Sequence, residues 1–179
     1  MGEQQQTKGM TGLDSSEAGL AGFVRRIVTT TKPRLAIENR SATGLTLSLA
    51  QGLLDNGFGK LIICDADAAR CAQLRKEIAA AGFSSSASIA VEVRNQFAQE
   101  SRPESNIDLL LTSTNHVQVV QHFLPNINPC GLILLLANES EYKQVREFAL
   151  AMDKEGIISA VFLPETLKLV MAQKRSGRK

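Results

Sequence analysis

The sequence predicts an α/β protein built on a doubly wound, mostly parallel sheet of seven strands, the last of them antiparallel. Three observations carry this. Short apolar runs alternate with segments of helical spacing in five strand–helix units. The runs "LIICD", "IDLLLTS" and "LILLLAN" are apolar almost throughout, as strands covered on both faces should be. The final two strand-like segments, "GIISAVFLP" and "LKLVMAQKR", are joined by the short link "PET". That link is too short for a crossover and needs a hairpin.

The elements follow in chain order. Residues 1–18 are rich in Gln, Gly, Ser and Thr and predict a disordered or loosely packed tail. Residues 17–31 have helical spacing through Leu20, Phe23, Val24, Ile27 and Val28, and Pro33 stops the helix. "RLAIE" is a first strand. Residues 44–54 form a helix that is apolar nearly all round, so both its sides should be covered. "LIICD" is the second strand. Asp67 then caps a helix running to Ala81, with Cys71, Leu74 and Ile78 inward, Arg70 and Arg75 mostly facing water, and Gly82 ending it. "ASIAVEV" is the third strand and "QFAQESRPESN" a polar loop. "IDLLLTS" is followed by a short helix over residues 116–123. "PNINPCG" reads as a turn before "LILLLAN". Residues 140–154 predict a helix with Ser140 as N-cap and an acidic first turn, and the terminal hairpin closes the sheet. This is a Rossmann-like layout in a single domain over residues 19–175, with a basic tail at 176–179 belonging to the solvated run "KRSGRK".

Composition narrows the function classes. The chain has 179 residues, 44% of them apolar and 21% charged, enough for one well-formed core. A net charge of +2 gives no field to draw nucleic acid or a membrane surface. No apolar run approaches the ~18 residues of a membrane span, and the polar N-terminus has no signal-peptide pattern. Cys64, Cys71 and Cys130 fall in no metal or redox spacing, so the first two read as core and the third as a turn residue. The expectation is a cytoplasmic protein in a reducing compartment.

A sheet of this layout binds ligands beyond the carboxyl ends of its strands, at the switch in strand order. Glu38, Asp65 and Ser113 stand at such ends. An Asp closing the second strand can accept from a ribose diol, or it can simply face water. Thr43, Gly44 and Thr46 open the following helix and can either cap it or bind an anion there. His116 is a weak general-base candidate with no partner residue in the sequence, and a surface helix-start position is the plainer reading.

Six segments, spread over residues 33–175, resemble the small O-methyltransferases of the catechol and caffeoyl-CoA type, which are class I S-adenosylmethionine (SAM)-dependent enzymes. They are "ENRSATGLTLSLA", "LIICDADAA", "LRKEIAAAGF", "IDLLLTSTN", "LPNINPCGLILLLAN" and "LPETLKLVMAQK". The order and spacing of the six are more specific than any one of them. The resemblance implies SAM as cofactor and a small-molecule acceptor. It assigns the ribose diol to Asp65, the first-strand acid to Glu38, and the methionine end of SAM to Ser41, Thr43, Gly44 and Thr46. It adds Ser113 and allows a homodimer; near adenine, where the family often has a Gly-Asp pair, this chain has "VRN", so Arg94 or Asn95 takes the acid's place, and Asn95 can still bond adenine.

The chain also departs from that pattern. Arg40 and Ala42 stand where the family has glycines, which serve positive φ or close approach to a ligand. Arg40 must therefore swing outward or fill the pocket. At the family's metal positions stand Ser113 and Asn115, then Leu136–Ala137 or Asn138–Glu139. That set offers at most one carboxylate, too few for Mg²⁺, so no metal is expected. Three functions follow: a metal-independent SAM-dependent methyltransferase, a catalytically degenerate relative serving as a ligand-sensing or interaction module, or an NAD(P) oxidoreductase. The last lacks its G-x-G-x-x-G loop.

Overall fold

A computed structural model describes residues 15–40, 43–100 and 104–176. Its elements are α1 (Ser15–Thr31), β1 (Leu35–Asn39), α2 (Thr43–Asn56), β2 (Gly59–Cys64), α3 (Ala68–Ala80), β3 (Ile89–Arg94) and β4 (Ile107–Thr112). They continue with α4 (His116–Phe123), β5 (Ile127–Leu136), α5 (Tyr142–Lys154), β6 (Ile158–Phe162) and β7 (Leu169–Lys174). The strands form one seven-stranded sheet in the order β3-β2-β1-β4-β5-β7-β6. The first five are parallel, and β7 runs antiparallel to both β5 and β6. The expected fold class is therefore the observed one, and the "PET" link makes the hairpin it required.

Alternation along the strands builds two cores. In β2, Leu61 and Ile63 face α1, α2 and α3, while Ile62 and Cys64 face α4 and α5. Both cores are apolar, which is why the middle strands read as unbroken hydrophobic runs. Helix α2 is covered from two sides, by the sheet and by α1. The crossing is close: a Cβ at Gly52 would lie 2.7 Å from Val28 Cβ.

Asp67 caps α3 as expected, accepting from the backbone N–H groups of Ala69 and Arg70, and Gly82 takes the left-handed conformation just past its end. Four expectations need correction. Helix α5 starts at Tyr142, and Asn138 rather than Ser140 organises its entry: its Oδ1 accepts from Glu141 N–H and its carbonyl from Tyr142 N–H. An Asn at a strand end makes this turn itself, so Ser140 is left to donate to the same Oδ1. Strand β5 begins at Ile127, inside the expected turn. It does so through an irregular register opposite β4, with Cys130 at φ 66°. The N-terminal helix already includes Ser15, so part of the expected 1–18 tail is helical, and residues 1–14 lie outside the described residues. The basic run is not wholly a solvated tail. Lys174 Nζ donates to the carbonyls of Leu124 and Ile127, and Arg175 bonds Ser159 and Asp153.

Candidate functional site

The strand order reverses between β1 and β4, and the carboxyl ends of β1, β2, β3 and β4 meet there. Glu38 lies one residue before the end of β1 and is fully buried. Its Oε1 accepts from Thr46 Oγ1 at 2.7 Å, and its Oε2 has no hydrogen-bond partner. Burial pushes the Glu38 carboxyl up to about 8, with the nearby Asp65 charge adding to the rise. The Thr46 bond and the Arg70 charge act the other way and are outweighed. At neutral pH Glu38 is therefore mostly the neutral acid.

Asp65 follows β2 directly, and it too is buried. Its Oδ1 accepts from Asp67 N–H at 2.9 Å. Arg70 Nε lies 2.9 Å from Oδ2, within ion-pair reach, yet Oδ2 makes no aligned hydrogen bond. The site thus holds two buried carboxyl groups on adjacent strands, each with one oxygen free of hydrogen bonds.

The other residues anticipated from sequence are placed as follows. Thr46 is buried, and its hydroxyl is committed to Glu38 rather than offered to a ligand. A position one turn into a covered helix has no route to solvent. Thr43 and Gly44 do open α2. Ser41 lies outside the described residues, as does Ala42. Asn95 is exposed after β3, and its Nδ2 donates to the Asp65 carbonyl at 3.1 Å. Its Oδ1 is the atom left for a ligand. Ser113 is half-buried, with its backbone N–H bonded to the Asn39 carbonyl. Arg94, at the same strand end as Asn95, is held by Glu92 and Glu104.

His116 is not at the surface. It is 7% exposed, and its Nε2 lies 2.8 Å from the Leu136 carbonyl, tying the start of α4 to the end of β5. Burial lowers its pKa, which favours the neutral ring. Arg40 is exposed and takes φ 45°, the left-handed backbone for which glycine is the usual residue. Its backbone N–H bonds the Cys64 carbonyl at 3.1 Å, which fixes the turn.

Sequence reasoning missed two residues. Asn39 is buried, and its Nδ2 donates to Thr112 Oγ1 and to the Thr114 carbonyl, both at 2.9 Å. It stitches the end of β1 to the end of β4 across the switch point, and a polar residue ending a buried strand was its signal. Arg70, assigned to the water-facing side of α3, instead reaches back over Asp65. Its position three residues after the cap was the available sign, because side chains there lean toward the helix start.

Two cavities lie elsewhere. One of about 420 Å³ sits against α5 and the β6–β7 link, lined by Tyr142, Arg146 and Lys168 among others. Another of about 270 Å³ sits at the amino ends of β1 and β4, by Asp108 and Cys130. Neither lies over Glu38 and Asp65. Among the described residues, no three or more His, Cys, Asp or Glu side chains come together as a metal-binding group, and no helix is long and apolar enough to cross a membrane.

No family model matches the sequence, and no curated protein matches it. Solved structures do match the fold. A methyltransferase from Geobacter sulfurreducens superposes with a TM-score of 0.71 at 13% identity, covering 93% of this chain and 91% of its own. The O-methyltransferase from Bacillus cereus, solved in complex with SAH (S-adenosylhomocysteine), gives 0.70 at 17% identity and covers 93% of each chain. TomG from Streptomyces achromogenes, an O-methyltransferase involved in tomaymycin synthesis and solved with SAM, gives 0.67 at 11%, covering 93% and 92%. The chain therefore has the fold of the class I SAM-dependent O-methyltransferases, the fold the resemblance implied.

Proposed function

We propose that this chain is a SAM-dependent methyltransferase that acts on an oxygen or other nucleophile of a small molecule, without a metal. The observation that carries the reading is the pair of buried carboxyl groups, Glu38 and Asp65, on adjacent strand ends at the switch point, each with an oxygen lacking a hydrogen bond. Buried polar atoms are nearly always paired, so Glu38 Oε2 at a strand-end crevice points to a ligand that would complete it, and Asp65 Oδ2, ion-paired with Arg70 but without a hydrogen bond, is a second acceptor beside it.

The residues present fit SAM in part. In this reading Asp65 Oδ2 accepts from the ribose hydroxyls and Asn95 Oδ1 receives a donor from adenine. The backbone N–H groups opening α2, at Thr43 and Gly44 after Ser41, suit a carboxylate. Glu38 Oε2 suits a polar partner beneath that loop. When bound, SAM supplies an electrophilic methyl group, and the role left to the chain is to hold it in line with a nucleophile. His116 has its Nε2 committed to a backbone carbonyl, so it serves as a positioning residue for the β4 and β5 ends rather than as a base. Ser113, Asn115, Asn138 and Glu139 are a poor oxygen set for Mg²⁺, and Glu139 is paired with Lys168. That donor chemistry supports metal independence. A cytoplasmic location and a homodimer are compatible with this reading.

A second reading has specific support. Arg40 at a glycine position and Arg70 over Asp65 both suit a degenerate relative that senses a ligand or docks a partner. Thermal melting with SAM and with SAH tests the first reading. A ligand of the native state raises the melting temperature with the logarithm of its concentration. A rise for wild type that disappears in Asp65→Ala supports SAM binding. No rise at millimolar ligand leaves the interaction module as the better account.

A further inference from the structure

We propose that Arg70 is a latch on the nucleoside side of this site: its guanidinium covers Asp65 in the resting protein, and a ligand bearing vicinal hydroxyls must displace it. The inference rests on the reading of Asp65 as a diol acceptor and adds a gate to it. Four observations support it. Asp65 Oδ1 is already occupied by the Asp67 N–H, so Oδ2 is the oxygen left for a ligand. Oδ2 is buried without a hydrogen bond, and the Arg70 Nε lies 2.9 Å from it. The Asp65 side chain is 1% exposed while that of Arg70 is 42% exposed, so the lid can turn into solvent while the acid stays fixed. Arg70 also sits in the first turn of α3, where a cation is opposed by the helix dipole. Helix stability therefore does not explain its presence.

The backbone of Arg70 is anchored independently of its side chain, through its N–H to Asp67 Oδ1 at 3.1 Å. Opening turns the side chain and does not require the helix to melt. A site closed for most of the time binds with an apparent affinity reduced by its open fraction. For a half-exposed ion pair that reduction is about two- to fivefold.

The test uses calorimetric titration with SAH, and NMR titration with adenosine and with 2′,3′-dideoxyadenosine. All three probes carry no net charge at neutral pH, so losing the Arg70 charge does not itself favour or oppose them through net ligand charge. Arg70→Ala keeps a good helix former at the site, and Arg70→Gln serves as a second variant; both are checked for native circular dichroism. The expected result is SAH and adenosine binding tightened about two- to fivefold, with dideoxyadenosine unchanged. Equal tightening of dideoxyadenosine, or weaker SAH binding in both variants, overturns the latch. If Asp65→Ala abolishes SAH binding but the Arg70 variants match wild type, the diol site stands and the latch is wrong. If no variant and no wild-type protein binds SAH, the underlying SAM reading fails and the latch falls with it.

Discussion

Glu38 gives the sharpest energetic test of the site. A carboxyl raised from 4.5 to about 8 by burial keeps its proton in the folded protein while the unfolded chain loses it. Between those two values the folded state holds more protons, so stability falls as pH rises. The slope is about 1.4 kcal/mol per pH unit. At pH 7 the accumulated cost is therefore about 3 kcal/mol, reckoned from the ordinary value of 4.5. Glu38→Gln removes the ionisation of the unfolded chain and keeps an oxygen to accept from Thr46. The variant should match wild type near pH 4.5 and exceed it by about 3 kcal/mol at pH 7, or about 6–12 °C in melting temperature. Urea denaturation of both proteins from pH 4.5 to 9 measures this. A wild-type advantage that persists at pH 7 would refute the reasoning, because it would mean that Glu38 is ionised and held by a cation in the fold.

Three further outcomes follow from the same geometry. His116, whose pKa burial lowers, contributes stability that is present above about pH 6.5 and is lost as pH falls; His116→Gln should flatten the acid limb of the melting curve between pH 6.5 and 5. Arg40→Gly should leave unfolding free energy within about 1 kcal/mol of wild type, because relief at φ 45° is offset by a freer unfolded chain. Since Arg40 is exposed, the same variant should keep SAH affinity within about threefold; a gain of tenfold or more would show that its side chain fills the pocket. Gly52→Ala should destabilise the protein by about 1–3 kcal/mol in urea titrations, because its Cβ would lie 2.7 Å from Val28 Cβ.

The fold was legible because its signals are local and repeated. Unbroken apolar strands, the Asp67 cap, the Gly82 stop and the short final link each act within a few residues of where they are written. The site was legible only in outline. Glu38 and Asp65 could be placed at strand ends, since strand ends follow from the pattern. What those carboxyls touch could not, because Arg70, Thr46 and Asn39 reach them or their neighbours from positions that periodicity classifies differently. Arg70 is charged and on a polar helix face, yet the direction of its side chain in the first turn takes it back to Asp65. His116 reads as a surface helix start, but the end of β5 packs over it. Asn138 displaces Ser140 at the entry to α5 because a side-chain turn competes with a cap, a contest that sequence spacing does not decide.

The most direct measurement of the central claim is an amide-resolved NMR titration of the full chain with SAH. The account predicts saturable shifts confined to residues 38–46, 65–70, 94–95 and 113–116, around the carboxyl ends of β1 to β4, and their loss in Asp65→Ala. Shifts centred instead on Tyr142, Arg146 and Lys168 by the cavity against α5, or unaltered binding in Asp65→Ala, would contradict it.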